Sequence, residues 1–177
     1  MDTLKAEDII QELGLQPLPV EGGYFSLTYT ADEQISASAL PERYKNDRNI
    51  SGSIFFLETL EQFSAMHSLP TDELYYYHYG DPLEMLFLFP DGSGETRVLG
   101  PDILSDQRPQ ILAPRHCYHG SRPLPGGLHG FSLCSTSMAP GFDESDPVFP
   151  SRDELLSTFP EHSELIESLT RLHPHNI

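Results

Sequence analysis

Eight histidines are spread along the chain, and their spacing to acids and aromatic residues sorts them. His67 stands six residues before Glu73, which opens an aromatic run, Glu73-Leu74-Tyr75-Tyr76-Tyr77. In an extended segment side chains alternate, so Glu73, Tyr75 and Tyr77 share one face while Leu74, Tyr76 and His78 share the other. Far along the chain, Pro114 to His119 is expected to close another strand, with Cys117 on the face of His119. Two imidazoles and one carboxylate form the set that holds Fe(II) or a similar divalent metal and leaves coordination positions open. Spacing alone leaves open whether these two stretches meet.

The other histidines read more plainly. His173 and His175 lie in a tail and His162 sits beside Glu161, so all three are assigned to the surface. His129 falls inside an expected strand, and His116 and His78 have no partner by spacing. Tyr75 and Tyr77 fit either a packed interior or a ligand site. There they would stack on a sugar or another planar molecule, with their hydroxyls as donors or proton carriers. Phe56 and Phe87 are expected in the core. Cys117 and His119, two residues apart on a strand, have Cβ atoms roughly 6.5–7 Å apart, too far for a nucleophile–base pair. Cys117 is therefore read as a small buried residue. Glu21-Gly22-Gly23 is read as a turn with positive φ and not a phosphate cradle, because no helix or lysine follows it.

The elements that must position these groups are mostly strands. Short apolar runs (Tyr24–Tyr29, Gly52–Leu57, Leu74–Tyr79, Leu83–Phe89, Thr96–Leu99, Gln110–Leu112, Leu128–Ser135) are separated by Gly, Pro, Asn and Asp clusters. Close spacing without intervening helix indicates an antiparallel sandwich or barrel. A short helix opens the chain, with Asp2 or Thr3 as its cap and Gly14 as its stop. Helix returns at the C-terminus, where Ser151-x-x-Glu154 and Thr158-x-x-Glu161 are both candidate capping boxes. Leu165, Ile166, Leu169 and Leu172 follow at helical spacing, and Ser36–Asn49 reads as a loop. The expected division is an N-terminal helix and linker over 1–20, a barrel over 21–145 and a helical extension over 146–177, forming one structural domain.

The chain has 177 residues and 27 acidic against 10 basic side chains, for a formal charge of −17. That charge repels nucleic-acid phosphates and anionic membranes. With two cysteines no disulfide scaffold is expected. The N-terminus has no signal-peptide pattern and the longest apolar run is Met85–Phe89. A cytoplasmic protein is expected, with neither nucleic acid nor membrane as partner.

The candidate residues also fall into a recognisable order. His67-Ser68-Leu69 through Glu73 to Gly80 resembles the first cupin motif, with Leu69 where a second histidine belongs and Gln62 or Glu61 at its leading glycine. Pro114-Arg115-His116-Cys117-Tyr118-His119 resembles the second, with His116 at a glycine position and Pro123 at the final asparagine. Together with Glu21-Gly22-Gly23-Tyr24-Phe25, Asn49–Leu57, Gly80-Asp81-Pro82-Leu83 and Ala139-Pro140-Gly141-Phe142, the chain resembles the uncharacterised cupin_5 family of the cupin superfamily.

The resemblance implies a mainly β fold, a double-stranded β-helix or jelly-roll barrel with a ligand-sized mouth, and commonly a homodimer. It also implies that His67, Glu73 and His119 converge, to hold one divalent metal (Fe, Mn, Ni or Zn) or to line a polar cavity. Glu73, Tyr75, Tyr77, His119 and Cys117 would then contact a small-molecule ligand. The expected function is small-molecule binding. If catalytic, it would be metal-assisted action on a carbohydrate-like or oxo-acid substrate, or a metal-free epimerase-like reaction with His67 as base and Tyr75 or Tyr77 as acid. A nucleotide diphosphate is disfavoured by the charge unless Arg97, Arg108 or Arg115 lines the mouth. The competing readings are a binding or sensing module without turnover, and a storage or structural jelly roll.

Overall fold

The computed structural model describes residues 4–171. Helix α1 (Ala6–Glu12) is capped at Lys5, whose backbone N–H donates to the Asp8 carboxylate at 3.1 Å. The expected caps Asp2 and Thr3 lie outside the described residues, as do Leu172, His173 and His175. Gly14, at φ 61°, takes the left-handed stop.

Thirteen strands follow among the described residues. One sheet runs, in spatial order, β1 (Gln16–Pro17), β2 (Tyr24–Thr30), β5 (Gly52–Thr59), β13 (Phe131–Met138), β7 (Glu73–Gly80) and β11 (Gln110–Ala113). The other runs β10 (Gln107–Arg108), β9 (Gly94–Leu99), β8 (Leu83–Leu88), β12 (Tyr118–Pro123) and β6 (Ser64–His67). A two-stranded ribbon, β3 (Gln34–Ile35) with β4 (Arg48–Asn49), lies apart. Every pairing is antiparallel except β9 with β10.

Why Leu83–Leu88 is apolar at five of its six positions follows from what covers it. Leu83, Met85 and Phe87 face inward and pack with Phe56, Tyr75, Ile111 and Cys134 of the opposite sheet. Leu86 and Leu88 face outward under Leu155, Phe159, Ile166 and Leu169 of the C-terminal helices. A strand buried on both faces cannot show the alternation of a half-exposed one. On the other side of the barrel, α1 places Ile9 against Leu57 and Phe131. The mainly β jelly roll with flanking helices is therefore as expected.

Several local expectations need correcting. His119 does not close a strand; it is the second residue of β12, after β11 has ended at Ala113. His129 lies in the turn before β13, where its backbone N–H donates to Asp81. Ser36–Asn49 is mostly irregular but contains a 3₁₀ turn and ends in β4. Ser151 and Glu154 do form a capping box on α2 (Arg152–Thr158). Thr158 does not, because its hydroxyl donates to the Glu154 carbonyl while Phe159 caps the next turn. Helix α3 (Ser163–Ser168) completes the described chain.

Candidate metal centre

The two strands carrying the candidate histidines are hydrogen-bonded neighbours. In the ladder His119 of β12 stands opposite His67 of β6 on one side and Phe87 of β8 on the other. Directly opposed residues in an antiparallel pair share a face, and the two imidazole centroids are 4.3 Å apart. The Phe87 ring stacks on His119 at 6.1 Å and Tyr75 meets it edge-on at 6.0 Å, so His119 is held on two sides. Glu73 arrives from the opposite sheet at the start of β7, and its Oε2 lies 3.3 Å from His119 Nε2. Ligand atoms of His67, Glu73 and His119 all lie within 4.8 Å of one another, and all three residues are buried.

The tautomer of His67 is fixed by its surroundings. Its Nδ1 is 2.8 Å from the Ala65 carbonyl, an acceptor only, so Nδ1 carries the proton and Nε2 presents a lone pair. A ligating histidine commonly has this arrangement, its other nitrogen donating to a backbone carbonyl. Burial lowers the His67 pKa, keeping the ring neutral. For Glu73 burial pushes the pKa up, but its contacts in the cluster, led by the His119 hydrogen bond, outweigh it, and the carboxylate is held below its ordinary value. Both groups therefore have the protonation state that metal ligation needs.

Two further carboxylates complete the site, and sequence reasoning missed both. The Glu21-Gly22-Gly23 turn has the expected positive φ at Gly22 and Gly23, 97° and 73°. A Cβ on Gly22 would come within 2.4 Å of the Phe63 carbonyl, so only glycine lets the chain pass here. That turn delivers Glu21, whose Oε2 lies 3.9 Å from His67 Nε2 and whose Oε1 accepts from the Ser64 hydroxyl at 2.8 Å. Desolvation raises the Glu21 pKa as it lowers that of His67, so burial works against the charged form of both partners.

Glu58 of β5 is fully buried; it accepts from Ser121 Oγ at 2.7 Å and from the Ser64 backbone N–H at 3.0 Å. Loss of hydration, only partly offset by those bonds, pushes its pKa up to about 7. The available signal was the charge of Glu58 directly after the apolar run Ile54-Phe55-Phe56-Leu57.

The remaining candidates are placed as follows. Tyr75 is buried against His119, and burial followed by the Glu73 charge raises its pKa well above the ordinary value, keeping its hydroxyl protonated. Tyr77 is not drawn into the group: its hydroxyl donates to the Gly80 carbonyl at 2.6 Å. Cys117 packs in the core between the sheets, and burial pushes its thiol up to about 12. His116, at the motif's glycine position, has φ 66°, the left-handed conformation that glycine takes at no steric cost. His78 contacts Ser135 Oγ. Arg97, Arg108 and Arg115 are each paired with an acid, Glu95, Asp106 and Asp72.

The residues fit a divalent cation on two observations. His119 Nδ1 is buried without a partner among the described residues. Glu73, held ionised, is buried with two imidazoles and with the Glu21 and Glu58 carboxyls nearby, a buried charge that a cation would balance.

A two-sheet β barrel with two histidines on neighbouring strands of one sheet and a glutamate from the other defines a cupin. The Cupin_5 family model (Cupin superfamily, DUF985) matches residues 7–149, and the chain belongs to that family. A hypothetical protein from Leishmania major is 28% identical with a TM-score of 0.83, over 94% of this chain and 99% of that one. A protein from Shewanella oneidensis is 32% identical with a TM-score of 0.83, over 96% and 99%. Oxalate decarboxylase of Lactobacillus farciminis, in its formate complex, shares the fold at 10% identity and a TM-score of 0.51, over 90% of this chain and 43% of that one. No curated protein matches the chain.

Proposed function

We propose that the protein is a metal-dependent cupin, with His67, Glu73 and His119 holding one divalent ion and a small oxo-acid or carbohydrate-like molecule binding beside it. The reading rests on the convergence of three buried ligand atoms within 4.8 Å, two of them on residues whose protonation already suits ligation. A divalent metal held by three protein ligands keeps positions open and polarises a carbonyl or carboxylate oxygen bound there. The chain's own residues handle protons and orientation. The Tyr75 hydroxyl is a donor, and the Glu58 carboxyl, pushed up to about 7 by burial, is able to give or take a proton at mild pH, with Glu21 raised in the same direction beside His67. Phe87 and Phe149, the latter with its ring 5.9 Å from His67, limit water around the imidazoles.

The test is a metal-loaded thermal-shift screen of 2-oxo acids, dicarboxylates and sugars, followed by turnover assays on those that bind. A ligand at ~100 times its dissociation constant adds ~2.7 kcal/mol of stability. Binding that needs both metal and His119 supports the reading. Metal-independent binding contradicts it, and binding without turnover identifies a sensing module at the same site.

A further inference from the structure

A cavity of about 290 Å³ lies against the turn that follows β6, walled by Ser68 and Leu69, by Val148, and by a group of cations. In a chain with 27 acids and 10 bases, a cation has acids to spare as partners. Arg43 and Lys45 line this cavity, yet among the described residues neither makes an ion pair.

Arg43 is nonetheless pinned. Its Nε donates to the Pro70 carbonyl at 3.0 Å and its guanidinium lies 4.7 Å from the centre of the Tyr44 ring, which leaves the terminal nitrogens for another partner. Lys45 Nζ donates to the Glu42 carbonyl at 2.7 Å and retains two further N–H groups.

The third cation is buried. Arg48, 3% exposed, gives both terminal nitrogens to Asp146 at 2.6 Å, so the acid in the cavity wall is already neutralised. Its Nε–H has no acceptor among the described residues. A buried guanidinium N–H without a partner is costly unless something supplies an oxygen. The His116 ring also lines the space, on a backbone held at φ 66° by the bond from its N–H to the Leu69 carbonyl.

We infer that this cavity is an anion site for the carboxylate or phosphate group of a small molecule. Arg43 offers the planar fork that matches either group, Lys45 adds a point charge, and Arg48 in the cavity wall has an Nε–H without an acceptor among the described residues. The inference does not rest on the metal reading, since none of these residues belongs to the His67, Glu73 and His119 cluster.

Isothermal titration of inorganic phosphate, and separately of malonate, into the wild type and the double variant R43A/K45A tests it. Both replaced side chains are exposed, so the variant is expected to fold. Wild type should bind at least one probe, and the variant should bind it at least about tenfold more weakly, the loss of one to two charge-assisted hydrogen bonds. Its metal content should be unchanged. Preference for phosphate would indicate a phosphorylated ligand, and preference for malonate a carboxylic acid. Undiminished binding by R43A/K45A overturns the proposal, as does failure of wild type to bind either probe at tens of millimolar. Binding that survives in R43A/K45A but is lost in His119→Ala places the anion at the metal and equally refutes this site.

Discussion

Replacing Glu58 with Gln should stabilise the metal-free protein at alkaline pH while changing little near pH 5. The carboxyl is fully buried, with one oxygen on Ser121 Oγ and the other on the Ser64 N–H. Gln keeps both contacts, its carbonyl accepting from Ser64 and its amide donating to the Ser121 hydroxyl, which can accept as readily as donate. The folded-state pKa is raised from 4.5 to about 7. The folded chain therefore holds this proton after the unfolded chain has released it. Wild-type stability, relative to the variant, falls as pH rises from the unfolded value through about 7. At about 1.4 kcal/mol per pH unit the full effect is about 3 kcal/mol. Roughly 2–3 kcal/mol of it accrues between pH 5 and 8.5. For a domain of this size that is a difference of roughly 5–10 °C in melting temperature. Urea or thermal unfolding of both proteins in chelator, across that range, measures it directly. Parallel pH profiles would refute the argument, because they would mean that Glu58 is solvated or already ionised when folded.

Three other substitutions probe different parts of the account. His119→Ala should keep the fold at a cost of about 2–4 kcal/mol for the cavity left beside Phe87 and Tyr75, yet abolish metal binding; calorimetry showing full metal affinity would remove His119 from the ligand set. Asp146→Ala strands the buried Arg48 guanidinium and should cost about 3–5 kcal/mol by chemical denaturation, whereas a loss under 1 kcal/mol would mean that water reaches the pair. Gly80→Ala puts a Cβ 2.3 Å from the Phe131 carbonyl at φ 97°, a position strained by more than the roughly 1 kcal/mol of an ordinary glycine effect. Soluble protein with wild-type melting would show that the turn between β7 and β8 yields easily.

What was legible in the sequence was what hydrophobicity patterns report. The strands β2, β5, β7, β8, β9, β11 and β13 each carry apolar or aromatic residues and lie close to where their runs predict. The two strands that carry the histidines were the hard ones. β6 reads Ser-Ala-Met-His and β12 reads Tyr-His-Gly-Ser-Arg-Pro, because their inward positions line a polar interior instead of a hydrocarbon core. His67, Glu73 and His119 were found through motif resemblance, since no local signal pairs residue 67 with residue 119. Glu21 and Glu58 escaped for the same reason. Each is brought to the site by tertiary structure, one by a Gly-Gly turn and the other by the polar end of an apolar strand. Arg48 was hidden in a segment read as loop, and its burial depends on Asp146, 98 residues away.

Anomalous diffraction from crystals grown with Mn(II), or from protein purified with its native metal, tests the central claim most directly. One strong peak is expected per chain, bonded at once to both imidazoles and the Glu73 carboxylate. A map with no peak there after metal loading, or a peak bound elsewhere, would contradict a metal centre formed by His67, Glu73 and His119.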